Sequence, residues 1–553
     1  TPDRFKTALM ALVERHEVLR TRLDETTVPA RQTIVTDPEV PFEVVELPAN
    51  LTDDQVIAHL IAANAAPFTL HQQPLLRAQF GRIAEADEAG RYWCLITVHH
   101  LIADRPSLQL CARELAATLR GESVSSPELH YPDFIAWQQE LPADALEAML
   151  FYWKWQLRGR IPPLELPTAF PRAAIHTFSA QRHAFAWSEN TTRELRRLAT
   201  LQSTSLTVVA IGIFNILLQR YAQQEEIVIG TSLPNRRQPG TEQLAGPVAN
   251  LVVLRSNLDG NPTVAEFLDS FSRTFAEAEE HQEMPFDPLV RELSPTPDMS
   301  RTALFDVLAT AEEQPPVTLD GGDLGELRLI DLNLGHGKYD LALHLQFDAD
   351  AATTGVFTFN GDLHQPAFVA QLSRHFETLV LAASTDQATR LNDLTLLSPA
   401  EIEQQLTSFN PEFVDAPRGQ TIVSLFTQQV ARHAERIAIT HGTQQISYGE
   451  LETRSNQLAH RLLAAGGQSE TLVAIALDRS PELIIALLAV LKSGGAYLPV
   501  DPTHPADRIQ FILTDSTSSH LIATSEIMTA LPPISASVTI TLLDQAAEEL
   551  KAL

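Results

Sequence analysis

Two hydrophobic periods run through this chain, one of about two residues and one of about 3.6. Tyr92-Trp93-Cys94-Leu95-Ile96-Thr97-Val98 is a short apolar run rich in β-forming residues and predicts a buried strand. It leads directly into His99-His100-Leu101-Ile102-Ala103-Asp104-Arg105. Pro106 and Ser107 follow, and Leu108–Leu115 reads as the start of a helix with Ser107 as its cap. Leu251-Val252-Val253-Leu254 predicts another strand, and the run from Leu206 to Leu218 predicts a buried helix in spite of Thr207 and Asn215. Further on, the pattern gives a helix over Val423–Glu435, a strand over Ile437–Thr440, a helix over Leu451–Ala465 and a strand over Thr471–Ile475. The longest clean apolar run, Leu483–Leu491, falls far short of the ~20 residues that a membrane helix needs.

A strand that ends in two histidines and a loop with one carboxylate suits the edge of a cavity. Successive side chains of a strand point to opposite faces. One of His99 and His100 is therefore expected to face a given cavity and the other to pack behind it, which argues against a two-histidine metal site. Asp104 is placed to order the loop through a salt bridge or backbone hydrogen bonds. On the residues alone, a histidine pair of this kind serves equally well as a satisfied part of a core.

Length and composition narrow the field. A chain of 553 residues exceeds a single domain. Its 40 basic and 69 acidic residues give a formal charge of −29, which disfavours nucleic acid and anionic membrane surfaces as partners. Only Cys94 and Cys111 are present, both in apolar contexts, so a disulfide framework is not expected and a reducing, cytoplasmic setting is. No leader is visible, and a chain opening at Thr1 reads as a piece of a longer polypeptide. A proline-rich stretch from Ile161 to Pro171 reads as a crossing between two lobes, and residues 396–420 as a linker. The Gly/Pro-rich segment from Glu313 to Gly337 is expected to be exposed.

The His99–Arg105 segment resembles the His-His-x-x-x-Asp-Gly motif of condensation domains in nonribosomal peptide synthetases. Other motifs of that family follow in family order. Arg15-His16-Glu17-Val18-Leu19-Arg20-Thr21-Arg22-Leu23 resembles the early Arg-His-Glu motif, and Tyr131-Pro132-Asp133-Phe134-Ile135-Ala136-Trp137-Gln138 the Tyr-x-Asp-Phe motif. Ile227–Thr231 with Asn235-Arg236, Gly246–Arg255, and His281-Gln282-Glu283-Met284-Pro285-Phe286-Asp287 resemble three later ones. Beyond them, Ile446–Leu451 and Leu491–Pro502 are similar to the first two core motifs of adenylation domains.

The resemblance implies an α/β fold of two chloramphenicol-acetyltransferase-like lobes in a V-shaped pseudo-dimer, followed by a partial N-terminal subdomain of an adenylate-forming enzyme. The first lobe then covers residues 1–160, truncated at its start because no Ser-x-Ala-Gln motif precedes Arg15. The second covers 161–395, and the partial adenylation domain 421–553. The implied partners are upstream and downstream peptidyl carrier proteins, whose phosphopantetheine arms enter two tunnels, and the neighbouring adenylation domain. No cofactor or metal is expected to bind directly. The Gly-rich loop that cradles ATP is absent, so this stretch alone is not expected to activate an amino acid.

On the same resemblance His100 is the residue at the tunnel junction, with His99 supporting it. Asp104 is structural and paired with a buried arginine, for which Arg255 is the candidate. Asn250 lines the same cavity and Gly246 supports it. Arg105 departs from the family, which has Gly there. It either obstructs an arm or pairs with Asp104 or Glu114 and leaves the tunnel open. Two functions follow: an amide-forming condensation domain, or a condensation-like platform that docks a tailoring enzyme such as a β-hydroxylase or oxygenase. Heterocyclisation is disfavoured, since it calls for Asp-x-x-x-x-Asp in place of the histidines. Epimerisation is disfavoured too, since Gly335-His336-Gly337 is only a piece of that pattern. Gly466-Gly467-Gln468-Ser469 resembles a carrier attachment site but falls where a helix ends. His16, His281 and Gln282 are expected to be structural.

Overall fold

The computed structural model describes the chain apart from residues 28–29, 49–50, 64–65, 72–73, 84–91, 294–297, 314–317, 331–336, 349–351, 411–417 and 552–553. Gly335-His336 and much of the Gly/Pro-rich segment from Glu313 to Gly337 therefore lie outside the described residues. The chain forms two compact units, Thr1–Asn410 and Pro411–Leu553. That division falls within the stretch read as a linker.

In the first lobe, β1 (Phe42–Leu47), β2 (Leu76–Ile83) and β3 (Tyr92–Val98) form a three-stranded sheet. β1 and β2 are parallel, and β2 and β3 antiparallel. The helix α1 (Arg105–Leu119) follows β3 after one tight turn. Phe5, Leu9 and Leu12 of the first helix pack with Phe80, Ile102, Leu110 and Leu115 in this lobe's core. β3 is an edge strand and not the buried one its composition suggested. Tyr92 is 54% exposed and Cys94 is exposed, because among the described residues no further strand pairs beyond β3. Cys111 lies in the core, where burial pushes its thiol up to about 12.

The second lobe is built on a six-stranded sheet. Its strands are β4 (Ala180–Ala186), β5 (Glu226–Leu233), β6 (Asn250–Asn257), β7 (Val307–Glu312), β8 (Leu341–Gln346) and β9 (Thr354–Asn360), in spatial order β4-β9-β8-β7-β5-β6. Alternation sets its two faces. Leu341, Leu343 and Leu345 point into the core, while Ala342, His344 and Gln346 lie on the opposite face, paired with Leu308, Thr310 and Glu312. The helix Leu206–Ala222 is buried from Val208 to Leu218. Its one polar intrusion, Asn215, is satisfied by donating to the Ile211 carbonyl at 2.8 Å.

The lobes share packing. Ala245 of the second lobe sits in the first lobe's core, and Leu244 and Val248 pack with Phe134 and Tyr131. The unit Pro411–Leu553 holds a separate four-stranded parallel sheet around Leu472–Ala476, with its own core. Gly466 follows the helix Tyr448–Ala464 with a φ of +95°. The Gly-Gly-x-Ser likeness is thus a left-handed helix stop. Among the described residues, no single helix is long and apolar enough to cross a membrane.

Leu343 is 1% exposed within the second lobe's sheet. Leu343→Ala is expected to cost about 2–5 kcal/mol, read as a lower urea midpoint at unchanged slope.

Candidate functional site

β3 ends at Val98, one residue before the histidines, so strand alternation does not govern them. The turn places both rings on one side. His99 and His100 stack with centroids 4.6 Å apart and 23° between planes, and the edge of Phe68 meets His99 at 5.8 Å. This corrects the expectation of opposed side chains. His99 Nδ1 accepts the Leu101 N–H at 3.2 Å, which leaves the proton of neutral His99 on Nε2. His100 is the exposed member of the pair.

Both imidazoles have pKa values below the ordinary one. Desolvation is the larger cause for each, followed by the positive charge of Lys338, with His99 adding to the effect on His100. Lys338 lies just before β8 on the second lobe. The pair is therefore neutral near pH 7, with nitrogen lone pairs able to accept a proton.

Asp104 closes the turn and caps α1. Its Oδ1 accepts the Ser107 N–H at 2.9 Å and the Ser107 hydroxyl at 2.5 Å, so the cap is Asp104 and Ser107 lies inside the helix. From the second lobe, Arg236 donates to both carboxylate oxygens at 2.8 Å. The Val248 and Ala249 N–H groups reach Oδ2 at 3.0 and 2.9 Å. The Asp104 and Arg236 side chains are only 10% and 8% exposed. Burial alone would raise the Asp104 carboxyl, but Arg236, Ser107 and Ala249 outweigh it and hold the pKa below the ordinary value.

The arginine paired with Asp104 is therefore Arg236 and not Arg255. A strand rises roughly 3.3 Å per residue, which carries Arg255 far along β6 from its site end at Asn250. There Arg255 pairs with Glu226 and donates to the Arg158 carbonyl. Asn250 donates to the carbonyls of Gln282 and Met284 at 2.7 and 2.6 Å, so its amide holds a turn. Gly246 is an inter-lobe contact. Its N–H donates to the Ser107 hydroxyl at 2.9 Å, and with φ at +156° an added Cβ would lie 2.4 Å from the Tyr131 ring.

Arg105 pairs with neither expected carboxylate. Asp104 is occupied by Arg236, and Glu114 accepts from Arg15 at 2.9 Å and lies 2.9 Å from His16 Nε2. Arg105 Nε instead meets Glu312 Oε2 of the second lobe at 3.2 Å, with both side chains about one-third exposed. His16, 2% exposed, is structural. The sequence reading missed Glu312 and Lys338. The signal for Glu312 is its position at the end of a strand on the face opposite the core. Among the described residues, no group of three or more His, Cys, Asp or Glu side chains is arranged to hold a metal ion.

The site is thus a turn with two histidines, pinned by a buried Asp–Arg pair between two lobes. A family model described as Condensation domain matches residues 1–406. The chain belongs to the condensation-domain family. A second model, AMP-binding enzyme, matches residues 426–552. Chondramide synthase cmdD of Chondromyces crocatus is 34% identical over 96% of this chain, and tyrocidine synthase 3 of Brevibacillus parabrevis 32% over 94%. The chain spans only 14% and 8% of those relatives. Among solved structures, a four-domain nonribosomal peptide synthetase, holo-AB3403 bound to AMP and glycine, matches 99% of this chain and 42% of its own, with a TM-score of 0.80 and 20% identity. The X-domain in complex with OxyB from teicoplanin biosynthesis covers 72% of this chain and 88% of its own, with a TM-score of 0.63 and 22% identity. At these identities the likeness establishes the fold.

Three outcomes follow for this condensation domain. Histidine ring titrations by NMR are expected to place His99 and His100 below about 6.5, and Lys338→Met to move both upward, since a nearby cation disfavours the imidazolium. Asp104→Ala leaves Arg236 buried and unpaired and is expected to cost about 3–5 kcal/mol at pH 7. A depressed carboxylate pKa contributes stability that is present above about 3.9 and lost as pH falls through the lower folded value. In Asp104→Asn that acid-dependent loss is expected to shrink in urea titrations between pH 5 and 2.

Proposed function

We propose that residues 1–410 form an amide bond between two carrier-tethered substrates. The amine of an acceptor aminoacyl thioester attacks the thioester carbonyl of a donor. A C–N bond forms, the C–S bond breaks, and the donor's phosphopantetheine leaves as a thiol after taking up the proton that the amine gives up. The observation that supports this reading is the stacked His99–His100 pair, kept neutral and anchored from both lobes.

His100, the exposed member, takes the role at the reacting centre, accepting the amine's proton or hydrogen-bonding the tetrahedral intermediate. His99 orients it, and Asp104 holds the turn through Arg236. The partners are upstream and downstream peptidyl carrier proteins and the neighbouring adenylation domain, and the setting is the cytoplasm.

A second reading rests on Arg105. Its pair with Glu312 ties the lobes together beside the histidine turn, where the family motif has Gly. An obstructed domain of this kind is kept as a platform that presents a carrier-bound amino acid to a tailoring enzyme. A structural neighbour, the X-domain from teicoplanin biosynthesis, is found in complex with another protein, OxyB.

The test is amide formation between preloaded donor and acceptor carriers, followed by intact-protein mass spectrometry. Wild type is expected to give a dipeptidyl acceptor, and His100→Ala to lower the rate by about 10²–10⁴-fold. Arg105→Gly and Glu312→Gln are expected to retain product. A wild type that forms none, with product gained in Arg105→Gly, moves the domain to the second reading.

A further inference from the structure

Gln282 touches neither the histidines nor Asp104, yet it is buried to 2% exposure and both ends of its amide are engaged. Its Oε1 accepts the Asn235 N–H at 3.0 Å, and its Nε2 donates to the Glu279 carbonyl at 2.8 Å. Asn235 is itself buried and has a φ of +52°, a left-handed conformation that few residues other than glycine adopt and that asparagine tolerates best. Its side-chain amide donates to the Val248 carbonyl at 3.2 Å.

These bonds converge on the second lobe's half of the pin. Arg236 follows Asn235 directly, and Val248 supplies an N–H to Asp104. The side chain of Asn235 thus ties together the two segments that grip Asp104, and Gln282 fixes the backbone of Asn235. A bidentate Arg–carboxylate pair is sensitive to the angle of approach. A left-handed turn at a residue other than glycine keeps that angle best when hydrogen bonds hold its backbone.

We propose that Gln282 is a positioning residue: it fixes the left-handed turn at Asn235 so that Arg236 meets Asp104 and holds the histidine turn from the opposite lobe. The relay is conformational. Only its consequence for turnover rests on the amide-forming reading.

The experiment is hydrogen exchange on the full chain, comparing wild type, Gln282→Met, Gln282→Glu, Arg236→Lys and the Gln282→Met/Arg236→Lys double variant. Methionine keeps the volume and removes both bonds, while glutamate keeps the acceptor for Asn235. The reporters are the amides of Leu101, Ile102, Ser107 and Leu108, all hydrogen-bonded within the turn or cap. Gln282→Met is expected to speed their exchange about tenfold while the core helix Leu206–Ala222 stays protected. Gln282→Glu is expected to restore much of the protection, and the double variant to exchange no faster than Arg236→Lys alone.

Faster exchange confined to residues 235 and 279–284, or effects that multiply in the double variant, would overturn the proposal. If Gln282→Met loses protection in the core helix as well, Gln282→Asn, one methylene too short to reach Asn235, carries the same test. Amide formation is assayed in parallel, where kcat is expected to fall without a change in acceptor KM. A wild type that forms no amide but shows the exchange pattern refutes the functional reading and leaves the relay. Amide formation without the pattern does the reverse.

Discussion

The buried pair of Asp104 and Arg236 is the constraint on which the histidine turn and the seam between the lobes depend. One carboxylate caps α1, closes the histidine turn and receives a guanidinium and two backbone N–H groups from the other lobe. Burying two charges is expensive, and the attraction between them offsets that cost only when the remaining hydrogen-bonding capacity is filled. Here it is filled: Arg236 also donates to the Leu244 carbonyl at 3.1 Å, and the Ser107 hydroxyl links Asp104 to Gly246. Such a network specifies an arrangement more than it adds stability. It holds two sheets that share no strand at one relative position, with the histidines at the seam.

The same seam sets the electrostatics. A histidine near an uncompensated carboxylate would hold its proton more tightly. Asp104 is neutralised by Arg236 and turned away to cap a helix, while the charge that acts on His99 and His100 is the cation Lys338. The lobes thus divide the work: the first carries the imidazoles, and the second carries both the guanidinium that fixes their turn and an ammonium that adds to the effect of burial in keeping them neutral.

Much of this was legible in the sequence because local rules apply to the elements involved. The run Tyr92–Val98 is a strand with the ends expected of it, and the helix beginning at Leu206 is as buried as its composition demanded. The six ordered motifs also located the turn. What failed were inferences that carried one local rule past its domain. Alternation was applied to His99 and His100, although the strand stops at Val98. Arg255 follows the apolar run Leu251–Leu254, but the strand continues to Asn257 and holds Arg255 well away from its site end at Asn250. Arg236 stood in a quoted motif, but only the fold shows that its left-handed turn points it across the lobe interface. Glu312 and Lys338 carry no motif of their own, and sheet topology alone brings them to the first lobe.

Arg105 shows how a single departure is accommodated. A cation in the first turn of a helix sits at the positive end of the helix dipole, which is unfavourable by a few tenths of a kcal/mol to about 1 kcal/mol. Glycine at that point has no such cost and leaves the approach open. Asp104 cannot compensate fully, because its oxygens are already saturated by Arg236, Ser107, Val248 and Ala249. The guanidinium therefore turns outward to Glu312 on the opposite lobe. That pair is about one-third exposed and so is weak and readily exchanged for water, unlike the buried Asp104–Arg236 pair. These two inter-lobe ion pairs thus differ in kind: one is buried and fixes the histidine turn, and the other lies partly open to solvent.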